Sequence, residues 1–393
     1  MQLTYKNSKT PRQWIGLGTL AFIAVALAIG PAKAVETIAR EAILVEVSTG
    51  KVLFEKNADR PMPPASMSKM MTTYMLFERL RDGRLSLEDT FKVSKNAWRK
   101  GGASSGSSTM FLLPGKRVKV EDIIRGIIIQ SGNDACIVIA EALSGSEEAF
   151  AVEMTARGKE LGMTNSSFKN ATGWPHPDHL TTARDLAVLS QKLIKDFPEY
   201  YRYFSEKSFT YNGIKQSNRN PLLYKDMGSD GLKTGHTKES GYGLAASVER
   251  RDRRLILVIN GLPSRKARSR EPERIIEWGF REFENYKLFK AGDVVETAAV
   301  WLGQKPNVPL IIEKELVLTM PRKSRRQMKV TVSYEGPLPA PIKTGDVVGS
   351  LKVSAPGTKD VVVPLTAGGD IGRLGLVGRL GAAFNFIVWG ETE

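Results

Sequence analysis

The chain has 393 residues, enough for two domains or for one large domain with an appendage. Hydrophobic content of 41% is ample for a buried core, and charged content of 25% is ordinary for a globular protein. The single cysteine, Cys136, excludes an internal disulfide framework and any multi-cysteine metal site, while the formal charge of +15 favours anionic partners without choosing among nucleic acid, lipid and acidic polymer.

Lys6, Lys9 and Arg12 precede an apolar stretch from Trp14 to Gly30, and Ala32-Lys33-Ala34 supplies a small-x-small cleavage pattern. Residues 1–34 therefore read as a secretory signal peptide cut after Ala34. An uncleaved anchor is the rival reading, but the apolar stretch is short for it. Export argues against a nucleic-acid partner and makes the cell envelope the expected workplace.

Ile43–Val47 and Lys51–Glu55 read as strands joined by a Ser48-Thr49-Gly50 turn. Met70, Tyr74, Phe77 and Leu80 recur at helical spacing, which predicts a helix from Ser66 to Leu80. Lys100–Ser108 is a Gly/Ser-rich loop. Helices are expected over Val120–Gln130, Asp134–Leu143, Ala149–Leu161 and Thr182–Lys195. Leu244–Val248 and Leu255–Asn260 read as a strand pair around the charged tip Glu249–Arg254, and Pro272–Glu284 as a closing helix. From Phe289 to about Gly369, short Val/Leu/Ile runs alternate with Gly and Pro turns, as in a small all-β domain. Cys136 lies in the apolar run Ala135–Ala140 and reads as a small buried hydrophobe rather than a nucleophile, with no His close in sequence.

Ser66-Met67-Ser68-Lys69 places a hydroxyl and an amine three residues apart, on one face of a helix. A serine becomes a nucleophile when a base takes its proton, and a lysine serves as that base once burial or nearby cations lower its pKa. Ser48…Lys51 and Ser166…Lys169 repeat the spacing, but neither opens an apolar helix. Ser131-Gly132-Asn133 adds a hydroxyl and an amide at a helix break, where a plain cap is the simpler reading. Lys233-Thr234-Gly235 precedes the strand pair, and its repeat, Lys343-Thr344-Gly345, reads as an ordinary turn.

Each motif is weak alone; their order and setting are specific. Pro64–Thr72, Gln130–Cys136 and Asp230–Thr237, with Phe209–Ile214 and Trp278-Gly279-Phe280-Arg281, resemble the low-molecular-mass penicillin-binding proteins, the D-alanyl-D-alanine carboxypeptidases. No Glu has an Asn four residues on, as class A β-lactamases require, and the one Tyr-x-Asn, Tyr5-Lys6-Asn7, lies in the N-terminal segment rather than between the Ser66 and Lys233 motifs, where class C enzymes require it. Two decoys weigh little. Gly102-Ala103-Ser104-Ser105-Gly106 spells a nucleophile elbow but lacks an apolar strand before it. His176, Asp178 and His179 could ligate a metal but lack a His-Glu-x-x-His helix.

The resemblance implies an α+β catalytic domain of DD-peptidase/β-lactamase type over residues 35–288. Its parts are an antiparallel sheet packed with helices and an all-helical subdomain. A small all-β domain over 289–370 and a membrane-associating tail over 371–393 follow. It implies Ser66 as nucleophile, Lys69 as base and Ser131 as proton carrier. Asn133, Lys233, Thr234, Gly235 and His236 would bind the stem peptide of peptidoglycan, with Arg219 supporting its carboxylate. The backbone N–H groups of Ser66 and His236 would form the oxyanion hole. It implies β-lactams as covalent inhibitors and no metal or organic cofactor. The tail pairs Leu374, Leu376, Leu380 and Trp389 with Arg373 and Arg379, which suits a headgroup region, although the arginines project ~120° apart on a helix and five glycines weaken it.

Overall fold

The computed structural model describes residues 3–5 and 35–381. The expected signal segment from Trp14 through Ala34, and Phe384, Phe386, Ile387 and Trp389 of the tail, lie outside them. The chain divides into a unit of residues 34–281 and a second holding residues 282–393 with the N-terminal residues, including a short strand, β1 (Leu3–Tyr5).

The first unit opens on the expected hairpin, β2 (Glu41–Glu46) and β3 (Val52–Lys56). A 3-10 turn, Ala65–Ser68, leads into α1 (Lys69–Arg81). Every residue of α1 from Lys69 to Glu78 is buried, so this helix runs through protein on all sides. The pair β4 (Thr90–Lys92) and β5 (Arg117–Lys119) flanks α2 (Lys95–Gly101), and α3 (Val120–Arg125), α4 (Asn133–Ser144) and α5 (Glu147–Glu160) follow. Next come α6 (Ala183–Asp196), α7 (Pro198–Tyr201) and a hairpin of β6 (Ser208–Tyr211) and β7 (Ile214–Ser217). Ser146 and Thr182 cap α5 and α6 by accepting from the N–H of Ala149 and Asp185.

Three long strands, β8 (Ser229–Thr237), β9 (Gly241–Arg250) and β10 (Arg253–Leu262), complete an antiparallel sheet of order β3-β2-β10-β9-β8, and α8 (Arg265–Glu282) closes the unit. Ile43, Val45, Ile256 and Val258 join one core cluster with Met70, Phe77 and Ile137 of the helices. On the other face α8 lies so close that a Cβ on Gly279 would stand 2.7 Å from Leu44 and 2.9 Å from Leu255. Cover on both faces explains the unbroken apolar runs in β2 and β10, each fully buried Leu or Ile contributing ~1.5–3 kcal/mol. It also explains Trp278-Gly279-Phe280: the glycine admits close contact while Trp278 meets Phe54 edge to face.

Two helices differ from the sequence expectation. Val120–Gln130 is not one α-helix: after Arg125, residues Gly126–Gln130 form a π-helical turn that ends at Ser131 with φ 65°. The closing helix begins at Arg265, not Pro272, because Ser264 Oγ accepts from the Ala267 N–H at 3.1 Å and starts it early. Pro272 lies inside it, where the sequence expectation puts the first turn.

In the second unit, β11 (Phe283–Phe289) pairs with β14 (Leu316–Pro321). The strands β12 (Val294–Trp301), β13 (Asn307–Ile311), β15 (Lys329–Ser333), β16 (Leu338–Pro339), β17 (Val347–Ser354) and β18 (Val361–Ala367) form a sheet of order β1-β15-β17-β18-β13-β12-β16. Alternate residues Val330, Val332, Leu351 and Val353 point into its core, the period of a half-buried sheet. Lys343-Thr344-Gly345 is a turn tied to Asp346 and Asp370. Beyond β18, Ile371 bonds to Ile342 in both directions and the Leu374 N–H to Leu302. Residues 376–381 are helical and leave Leu376, Val377 and Leu380 exposed.

Candidate active site

Ser66 sits in the 3-10 turn just before α1, after Ala65, which holds a left-handed φ of 47°. A non-glycine residue there stores ~1–3 kcal/mol of strain and is characteristic of functional turns. Lys69, one helical turn on, is 0% exposed. Its Nζ donates to Ser66 Oγ at 3.1 Å and to the Thr172 carbonyl at 2.5 Å. Burial pushes the Lys69 amine down to about 8, with the Arg219 guanidinium lowering it further. At pH 7 roughly a tenth of the molecules then carry a neutral amine beside the hydroxyl.

The π-helical turn delivers Ser131 to the same cleft. Its hydroxyl is buried and has no hydrogen-bond partner among the described residues. Asn133 opens α4; its Nδ2 donates to Ser107 Oγ at 3.0 Å, and its Oδ1 is unpartnered among the described residues. Asp134, next to it, was given no role from sequence. Its buried carboxylate accepts from Thr109 Oγ1 and the N–H groups of Met110, Leu112 and Ala135, at 2.6–3.0 Å. That docks the end of the Gly/Ser loop on α4.

Lys233-Thr234-Gly235-His236 lies on β8, the edge strand of the sheet. Gly235 lets this edge approach the Ser66 turn, for a Cβ there would stand 3.0 Å from the Pro64 carbonyl oxygen. Lys233 is 2% exposed, and burial, followed by Lys69 and Arg219, holds its amine well below the usual lysine range. His236 stacks on Tyr242 at 3.9 Å, and burial lowers its pKa.

A cavity of about 560 Å³ opens here, lined by Ser66, Ser108, Ser131, Arg219, Thr234, Gly235, His236, Tyr242, Arg265 and Arg268. Lys69, Asn133 and Lys233 are buried behind this wall. Arg219 donates to Ser108 Oγ at 2.6 Å. Arg268 was missed from sequence because its helix was started too late. Its guanidinium lies over the Tyr242 ring at 5.3 Å, and its Nε finds no acceptor among the described residues. Burial and then Arg265 push it down to about 10. Uncompensated guanidinium charge in a concave, half-buried wall is suited to a carboxylate.

The decoys resolve on physical grounds. Ser104 lies in an exposed 3-10 turn that follows α2, not a strand. His179 turns inward, where its Nδ1 accepts from the Lys169 N–H and its Nε2 meets Ser68 Oγ at 2.8 Å, so both ring nitrogens are engaged. Cys136 is fully buried and its thiol is pushed up to about 12 by burial, which leaves no thiolate for attack.

Residues 29–263 match the peptidase S11 family model, described as D-alanyl-D-alanine carboxypeptidase, and residues 283–373 match the C-terminal domain of penicillin-binding protein 5. The chain is 41% identical over 345 residues to the D-alanyl-D-alanine carboxypeptidase DacC of Escherichia coli, covering 87% of this chain and 86% of that protein. The structure of penicillin-binding protein 5 from Haemophilus influenzae superposes with a TM-score of 0.76 at 34% identity, covering 87% of this chain and all of that one. Penicillin-binding protein D2 from Listeria monocytogenes, solved in an ampicillin-bound form, aligns with a TM-score of 0.55 at 30% identity over 64% of this chain and all of that one. The chain therefore belongs to the serine-type D-alanyl-D-alanine carboxypeptidase family of penicillin-binding proteins.

Proposed function

We propose that the enzyme removes the terminal D-alanine from peptidoglycan stem pentapeptides through an ester on Ser66. The observation that carries this is the Ser66 hydroxyl 3.1 Å from a buried, pKa-lowered amine at the mouth of a guanidinium-lined cleft. Neutral Lys69 takes the Ser66 proton as Oγ attacks the carbonyl between the last two D-alanines. The oxyanion is held by the backbone N–H groups of Ser66 and His236. Ser131 relays the proton to the leaving nitrogen, D-alanine departs, and water then hydrolyses the acyl-enzyme. Asn133 and the Thr234–Gly235 edge align the peptide as an added strand. The terminal carboxylate docks on Arg219 and Arg268, and buried Lys233 supplies positive potential behind them.

Residues 1–34 act as a cleaved signal, residues 35–288 carry the chemistry, 289–370 form the β domain and 371–393 hold the protein on the periplasmic face of the inner membrane. Cleavage would remove β1 and leave β15 at the sheet edge. β-Lactams acylate the same serine. Peptide mapping after penicillin labelling, alongside D-alanine release, tests the assignment: a label on Ser104 or Ser131, or no D-alanine release, would overturn it.

A further inference from the structure

The loop between α5 and α6 touches the catalytic turn from outside the three motifs. Lys69 Nζ donates to the Thr172 carbonyl, and Gly173, at φ 83°, lies against the backbone of Ala65. A neutral lysine amine has two hydrogens and one lone pair. A fixed acceptor for one hydrogen restricts rotation about Cε–Nζ and turns the lone pair toward the Ser66 hydroxyl. A loop carbonyl does this only if its backbone is braced.

The brace is Asn170. Its Oδ1 accepts from the Thr172 N–H at 3.2 Å, Thr172 Oγ1 at 3.0 Å, the Gly173 N–H at 2.7 Å and the Trp174 N–H at 3.1 Å. Its Nδ2 donates to the Trp174 carbonyl at 3.0 Å. Ala171, inside the clasp, is pinned separately: Thr72 Oγ1 donates to its carbonyl at 2.7 Å, and its N–H donates to Glu147 at 3.2 Å. One amide thus gathers the polar groups of three consecutive residues, and the first of them bears the carbonyl that meets Lys69.

We infer that Asn170 is a positioning residue for acylation: its side chain clasps residues 172–174 so that the Thr172 carbonyl aims the Lys69 amine at Ser66. This rests on the reading of Lys69 as the base.

The test is single-turnover acylation of the full chain by a fluorescent penicillin, separating non-covalent binding from the first-order acylation step, at pH 9. Asn170→Ala is expected to slow the acylation step ~10-fold or more while binding stays within about twofold. Asn170→Asp keeps the acceptor for all four donors; its added charge raises the Lys69 pKa, so its rate is read on the plateau of its own pH profile, where it recovers to within about threefold of wild type. Should Asn170→Ala not fold, Asn170→Ser carries the same expectation. Wild-type acylation by the Ala or Ser variant, a loss confined to binding, or equal losses in Asn170→Asp and Asn170→Ala overturns the clasp. Lys69→Arg, run beside them, separates the two claims: if it acylates, the base reading fails; if it is dead while Asn170→Ala acylates normally, the clasp alone fails.

Discussion

A side chain on Gly173 would place its Cβ 1.9 Å from the carbonyl oxygen of Ala65, the residue before Ser66. Gly173 also holds φ 83°, so an alanine meets both backbone strain and a backbone collision. Gly173→Ala is expected to destabilise by more than the ~1 kcal/mol of a left-handed alanine and to slow acylation at least ~10-fold. Gly145→Ala is the control, with φ 78° and open space around it. Thermal melts and penicillin acylation rates check both; equal behaviour of the two variants would show that the contact with Ala65 does not matter.

As the proposed base, Lys69 should set the pH dependence. Its folded pKa is about 8, below the lysine value of 10.5, so the reactive neutral amine accumulates as pH rises. Acylation rates are expected to climb from pH 6 and level off above about pH 8.5. For stability the sign follows proton counting: between about 8 and 10.5 the unfolded chain binds more protons at this site than the folded one, so stability rises with pH across that window and is lowest below it. Lys69→Met removes a penalty on the order of 3 kcal/mol at pH 7. It should melt no lower than wild type at neutral pH while failing to acylate, and a clear drop in its melting temperature would contradict that penalty.

Arg268 and Arg219 should act together on the substrate carboxylate. Arg268→Ala is expected to cost ~2–3 kcal/mol, or roughly 30- to 150-fold in kcat/KM, on peptides with a free terminal carboxylate. Amidating that carboxylate should harm wild type far more than the variant. Steady-state D-alanine release on the paired substrates measures this; an equal penalty in both proteins would remove Arg268 from the carboxylate site.

Truncation should distinguish the tail from the domain it leaves. Ile371 and Leu374 are bonded into the β domain through Ile342 and Leu302, whereas Leu376, Val377 and Leu380 project into solvent. Ending the chain after Leu374 should release it from membranes with its melting temperature unchanged. Ending it after Gly369 should release it and also destabilise the β domain. Sedimentation with membranes after either cut would move the anchor elsewhere.

The placement of Ser66, Lys69 and the motif on the sheet edge was legible because each lies within a short stretch: Ser66 and Lys69 meet one helical turn apart, and Lys233 to His236 lie on one strand. What the sequence hid depends on distant segments. The Thr172 carbonyl reaches Lys69 from 103 residues away, and His179 reaches Ser68 from 111. Asp134 looked like the tail of a motif, but its four bonds go to residues 109–112 and its own helix. Arg268 was hidden by Pro272, which drew the helix start seven residues late. The wide turn at Gly126–Gln130 has the same apolar spacing as an α-helix, and only its outcome, a left-handed Ser131, reveals it.

The strand order β3-β2-β10-β9-β8 bears on how the polypeptide reaches its folded state. Glu46 on β2 and Arg253 on β10 bond across adjacent strands although 207 residues separate them. The first hairpin of the catalytic unit therefore has no sheet to join until nearly all of that unit is available. Contacts of such long sequence separation carry a large loop-closure cost and slow folding. On the export route proposed above, an N-terminus threaded first would stay uncommitted until its partner strand followed it across, which keeps the translocating polypeptide extended. The same delay leaves the apolar run of β2 uncovered meanwhile, a state vulnerable to aggregation and to proteolysis.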